Sequence, residues 1–192
     1  MIKTKHHIND IKNDIGIKHK LVTYLNGLIT EKLSIREFNS ITIACIGTDR
    51  VTGDSLGPIV GEILEQKKWE NVSIIGNLEN PLHAKNLIER LESIPDDSLI
   101  IAVDACLGRL DSLNCISINN ESVHPGAALD KGLPSVGDIS ILGTVNLSNG
   151  GFSTLQYTRL YTVIELAKGI TNIISEVIPY VNFTESLEEI IA

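Results

Sequence analysis

The run Leu99-Ile100-Ile101-Ala102-Val103 is apolar at every position, and that continuity constrains the chain more than any other feature. A strand with one face in water alternates apolar and polar residues; an unbroken run of this length marks a strand buried on both faces. Such a strand needs helices above and below its sheet. A similar run, Ile41 to Ile46, ends at Gly47, and Val72 to Ile75 ends at Gly76. Cys115–Ile118 and Ile139–Gly143 also read as strands. Helical spacing fills the intervals. Leu21, Leu25, Leu28 and Ile29 predict a helix near 18–33, and Pro58 suits the first turn of one carrying Ile59, Ile63 and Leu64. A short helix is predicted over His83–Leu91. A long one is predicted over 154–178, with Leu160, Ile164, Ala167, Ile170, Ile174 and Val177 on one stripe and Pro179 at its end. Strand and helix alternate, which predicts a single-domain α/β/α sandwich with a mainly parallel central sheet. Residues 1–35 form an N-terminal helical extension to the α/β domain of residues 36–192, and Glu185–Ile191 a short terminal helix.

Charge and cysteine usage narrow the function. The 192 residues carry a formal net charge of −8, which disfavours nucleic acid because nothing offsets repulsion from the phosphates. No run of about 18 or more apolar residues is present to span a membrane, and the N-terminus is too polar for a signal peptide. The expected location is the cytoplasm. Cys45, Cys106 and Cys115 are widely spaced and odd in number, so neither a disulfide framework nor a structural zinc site is indicated. Neither metal nor cofactor is expected.

In a parallel sheet, ligands bind beyond the carboxyl ends of the strands. Two stretches put acids there. Between Gly47 and Pro58 lie Asp49, Arg50 and Asp54, and Asp104 follows Val103 directly. Facing each other on one sheet edge, Asp54 and Asp104 would have their titrations split by mutual repulsion, which suits general acid–base work; alternatively Asp104 caps a turn. The Asp54 loop has no lysine and is no phosphate loop. Gly53-Asp54-Ser55-Leu56 spells the GDSL esterase motif, but no histidine follows His124 to serve Ser55 as base. A cysteine nucleophile at Cys106 likewise lacks a histidine placed by sequence. Adjacent His6 and His7 belong to a solvated, partly disordered end. Glu79 and His83 could line the cleft, but a loop acid and a helix-start histidine are the simpler expectation. The irregular stretch from His124-Pro125-Gly126 through Asp138 is long enough to suggest a functional loop.

The run Thr52-Gly53-Asp54-Ser55-Leu56-Gly57-Pro58 after Gly47, then Val103-Asp104-Ala105, then His124-Pro125-Gly126 with Gly137–Gly143, resembles the sequence blocks of the spore germination protease in order. The full wording is most similar to the YyaC-type sporulation proteins, described as candidate spore proteases. The resemblance runs from about the first of these strands through the long helix. It implies the phosphorylase/hydrolase-like fold of the hydrogenase maturation proteases, with residues 36–192 as the peptidase-like domain. It also implies an endopeptidase of sporulating cells acting on small acid-soluble spore proteins, with Asp54 and Asp104 catalytic. Asp49, Arg50, His124 and Gly126 form the expected substrate-binding set, Arg50 as a carboxylate or oxyanion partner. Two departures stand out. Arg50 lies where the germination protease carries other residues, and of the nickel-binding Glu, Asp and His of the maturation proteases only the Asp is matched directly, by Asp104. The alternatives are a catalytically silent protein that holds a peptide in the same cleft, or a GDSL-type esterase. The expected partner is a protein or peptide, and a homo-oligomer stays open.

Overall fold

The computed structural model describes residues 4–126, 133–181 and 183. Its centre is a six-stranded sheet in the order β1-β5-β6-β4-β2-β3. The strands are β1 (Thr4–His7), β2 (Ser40–Cys45), β3 (Val72–Ile75), β4 (Ser98–Gly108), β5 (Cys115–Asn119) and β6 (Ile139–Leu147). β6, β4, β2 and β3 run parallel; β5 is antiparallel to β6, and β1 to β5. The helices are α1 (Ile8–Asn13), α2 (Ile15–Ile35), α3 (Leu56–Glu65), α4 (Leu87–Glu92), α5 (Phe152–Gln156) and α6 (Leu160–Val177). The expected α/β sandwich with a mainly parallel sheet is what the chain forms. The expected terminal helix at Glu185–Ile191 lies outside the described residues.

The two faces of the sheet are unequal, and the inequality decides where chemistry fits. On one face Ile41, Ile43, Leu99, Ile101, Val103, Ile139 and Ile141 meet α1, α2, α3 and α6 in one large apolar cluster. Each fully buried Leu or Ile there contributes about 2 kcal/mol, so this face holds the fold together. Most alternate positions are small or polar, with Thr42 and Ala44 on β2, Ser98 and Ala102 on β4, and Ser140 on β6 all buried, while Ile100 and Leu142 are the large exceptions. The polar members are satisfied among themselves. Thr42 Oγ1 and Ser98 Oγ lie 2.8 Å apart, and Asn119 Nδ2 donates to Ser140 Oγ at 3.3 Å. α4 and loop residues cover this second face in a smaller cluster with Leu82, Leu87 and Val136. Small side chains let those loops lie close to the strands.

Several elements depart from the sequence reading. β4 does not stop at Val103 but runs on to Gly108, so Asp104 stands inside a strand rather than after one. The predicted long helix is two, because Thr158 is buried at the break, where its Oγ1 donates to Thr154 O and accepts from Asn146 Nδ2. α6 also turns a shifted face to the core. Leu160 is exposed, while Val163, Leu166 and Ile173 are buried alongside the expected Ala167, Ile170, Ile174 and Val177. α4 begins only at Leu87, since the Asn86 side chain holds a turn over His83–Asn86. The partly disordered end expected around His6 and His7 is wrong for those residues. They pair with Ile116 and Cys115 in β1, and His7 Nδ1 accepts the Asn9 N–H at the start of α1.

Candidate functional site

β2 delivers the chain to the site through Gly47. Its φ of +139° and the 2.0 Å between an added Cβ and the Asp54 carbonyl oxygen admit only glycine. The Thr48 N–H donates to that same carbonyl at 3.1 Å, and the Asp54 N–H donates to Val51 O at 2.9 Å. The loop thus closes on the backbone of Asp54, within a short 3-10 turn over Thr52–Ser55. Gly57 completes the arrangement: a Cβ there would stand 2.1 Å from Ile46 O, so the start of α3 is pressed against the end of β2. Asp54 is held at the carboxyl edge of the sheet by main-chain bonds to its own loop.

Asp104 arrives on the neighbouring strand. Its position in β4 alternates with Val103, which puts it on the small-residue face with Ala102. It is 7% exposed, and one carboxylate oxygen accepts the Ala105 N–H at 2.8 Å. Burial first, and the charge of Asp54 second, hold its carboxyl well above the usual carboxylate range; the Ala105 bond pulls the other way. Both acids line a cavity of about 260 Å³. Its walls are otherwise mostly apolar, with Leu107, Val123, Leu133, Leu142 and Leu155 among them. A low-dielectric wall is what keeps one carboxyl of such a pair neutral.

The remaining predicted residues divide. His124 and Gly126 line the same cavity, His124 exposed at its rim and Gly126 in the left-handed region at φ +69°. They are carried there by Val123, which exchanges two main-chain hydrogen bonds with Val136. Asp49 and Arg50 are exposed and do not line the cavity. Ser55 is buried and donates to Thr52 O at 2.6 Å, which is a turn-forming bond and not the geometry of a nucleophile. Cys106 lines the cavity with its thiol 3.4 Å from Thr144 Oγ1, and burial raises its pKa, leaving it a poor thiolate. Among the described residues, no three His, Cys, Asp or Glu side chains gather closely enough to hold a metal ion. The nickel set of the maturation proteases therefore does not fit the described residues.

One residue given a structural reading from sequence stands in the site. His83 lines the cavity beside both acids, whereas Glu79 is exposed and outside it. The signal was a parallel bridge between Ile46 and Leu82 that ties the His83 turn to the end of β2. Nothing in the local sequence announces such a bridge.

Known proteins give a context. The profile of a family described as "Protein of unknown function (DUF1256)" matches residues 9–173. The uncharacterized protein YyaC of Bacillus subtilis (strain 168) is 41% identical over 155 residues, covering 78% of this chain and 73% of that protein. Two solved structures share part of the chain path. The crystal structure of the NiFe hydrogenase maturation protease HycI from Thermococcus kodakarensis KOD1 matches with a TM-score of 0.48 and 18% identity, over 73% of this chain and 93% of that one. The hydrogenase maturating endopeptidase HybD from E. coli matches with a TM-score of 0.43 and 14% identity, over 71% and 93%.

Proposed function

The chain belongs to the DUF1256 family, and from that premise we propose that it is an endopeptidase in which Asp54 and Asp104 share one proton. The observation that supports the reading is the buried Asp104 carboxyl, raised by its surroundings and by Asp54, on a cavity that both acids line. In this reading the pair carries one charge. Neutral Asp104 donates its proton to the scissile carbonyl oxygen while ionised Asp54 takes a proton from the attacking water. The C–O bond that forms gives a tetrahedral diol. Collapse breaks the C–N bond: Asp54 passes its proton to the leaving nitrogen, and a diol hydroxyl returns one to Asp104. Atoms and charge balance, and the pair ends as it began.

His124 and Gly126 at the rim, with Asp49 and Arg50 on the outer loop, are the proposed contacts for the substrate chain on either side of the cleavage point. The resemblance to the germination protease directs the search for substrates to small acid-soluble spore proteins in the cytoplasm of the sporulating cell. Among the described residues no helix is long and apolar enough to cross a membrane. The test is incubation of the purified protein with such spore proteins and with a peptide library made by digesting a whole proteome, read by mass spectrometry. New peptide termini are expected with wild type and with neither Asp54→Asn nor Asp104→Asn. Their absence with wild type, or their persistence in either variant, refutes the proposal.

A further inference from the structure

His83 has no part in the proton transfers just described, yet it is fixed more firmly than a bystander needs to be. Its main-chain N–H donates to Asn86 Oδ1 at 2.9 Å, and Asn86 Nδ2 donates to Pro81 O at 3.1 Å, so one side chain braces the turn from both ends. The preceding residue, Leu82, is 1% exposed and accepts the Gly47 N–H at 2.8 Å. Gly47 is the residue packed against the Asp54 carbonyl. The imidazole therefore hangs from the same main-chain junction as Asp54 and lines the same cavity as both acids.

The brace leaves one atom of the ring unsatisfied. His83 Nδ1 is buried and has no hydrogen-bond partner among the described residues. A buried polar atom without a partner destabilises the free protein, and a catalytic or ligand-binding role is one of the reasons a native structure keeps such an atom. We infer that the His83 ring turns about its own bond on substrate entry and binds through Nδ1 a main-chain peptide group next to the bond being cut, fixing the register of the chain against Asp54 and Asp104. The neutral ring offers one donor and one acceptor nitrogen. A peptide group presents both an N–H and a C=O, so it satisfies Nδ1 in either tautomer. Apart from Asp54, Asp104, Cys106 and His124, the other lining residues carry no side-chain polar atom to do so. The assignment rests on the peptidase reading for its substrate, but not on which spore protein is cleaved.

Three variants separate a substrate contact from a structural one. In His83→Asn, the side-chain amide lies close to where Nδ1 stood and keeps a donor and an acceptor; His83→Gln places its amide farther out, and His83→Leu offers neither. With the best-cleaved peptide of the proteome-derived library, His83→Leu is expected to lose 10- to 100-fold in kcat/KM. His83→Asn should recover to within a few fold of wild type, and His83→Gln should not. Urea denaturation should find His83→Leu at least as stable as wild type, because the unpaired atom is gone. The assignment is overturned if His83→Leu keeps kcat/KM within twofold, or if its activity falls only in step with lost stability. Loss of cleavage in Asp54→Asn with no effect at His83 would remove this inference and leave the peptidase reading standing. If wild type binds library peptides without cutting them, the peptidase reading falls. The same ranking in Kd is then expected, and equal Kd values for wild type and His83→Leu overturn the assignment.

Discussion

Replacing Asp104 by Asn tests the proton on which the mechanism depends, and it does so without needing a substrate. Asn keeps an oxygen able to accept the Ala105 N–H at 2.8 Å, so the local hydrogen bond survives while the ionisable group is lost. In the folded protein Asp104 is buried and its carboxyl is raised well above the ordinary value, by burial first and by Asp54 second. In the unfolded chain it ionises near pH 4. Across the interval between those two values the folded state holds a proton that the unfolded state has released. The contribution of Asp104 to wild-type stability therefore falls as pH rises from about 4, by up to about 1.4 kcal/mol per pH unit, and levels off only above the folded-state pKa. The contribution is fully present below the unfolded value and is progressively lost above it. Asp104→Asn lacks this slope and should gain on wild type by about 1.4 kcal/mol for each unit through the same interval, while losing cleavage throughout. Urea unfolding of both proteins at about pH 5, 6 and 7 measures the difference, since linear extrapolation resolves changes of this size. Parallel stability curves would mean that Asp104 is ionised in the folded protein, and the acid role assigned to it would be wrong.

Three further outcomes are expected. Ser55→Ala should keep cleavage within a few fold, because the hydroxyl is committed to Thr52 O; a loss of about 10⁴-fold, as when a true nucleophile is removed, would restore the esterase reading. Gly47→Ala should cost roughly 2–5 kcal/mol from backbone strain and from a Cβ driven onto the Asp54 carbonyl, and a variant within about 0.5 kcal/mol of wild type in urea would show that the loop can open. Chelator treatment should leave cleavage unchanged, given that no three ligand side chains converge among the described residues; stoichiometric nickel or zinc in the purified protein, lost together with activity in His124→Ala, would contradict this.

The fold was legible where periodicity reported burial. Leu99–Val103 announced a strand covered on both faces, and β2 and β3 fell within a residue of their expected positions. What periodicity could not convey is that the two covers differ. An apolar run reads Ala102 and Ile101 alike, yet one faces a thin layer of loops and the other the main core. The same blindness misplaced the end of β4, because an Asp after five apolar residues looks like a stop. Only the parallel partner β6 shows why the strand continues. That Asp54 and Asp104 line one cavity was legible because strand ends of a parallel sheet share an edge. His83 was not, since its place depends on the Ile46–Leu82 bridge between segments over thirty residues apart. The break before α6 hung on Asn146 reaching Thr158, a contact with no counterpart in helical spacing.

Among the described residues both margins of the sheet, β1 and β3, are strands of four residues, and β1 carries Lys5. Short, charged margins discourage further strands from docking by main-chain pairing. A polypeptide meeting this protein thus has little opportunity to be recruited by lengthening the sheet, a common way of gripping an extended chain regardless of its side chains. Under the proposed function its handholds are at the carboxyl edge, where the cavity of the two acids takes a few residues at a time. On that reading the protein would recognise a short stretch of its partner closely and be indifferent to the rest. Discrimination among partners would then turn on one or two positions flanking the contact, and a change at either would matter more than the length of chain on offer.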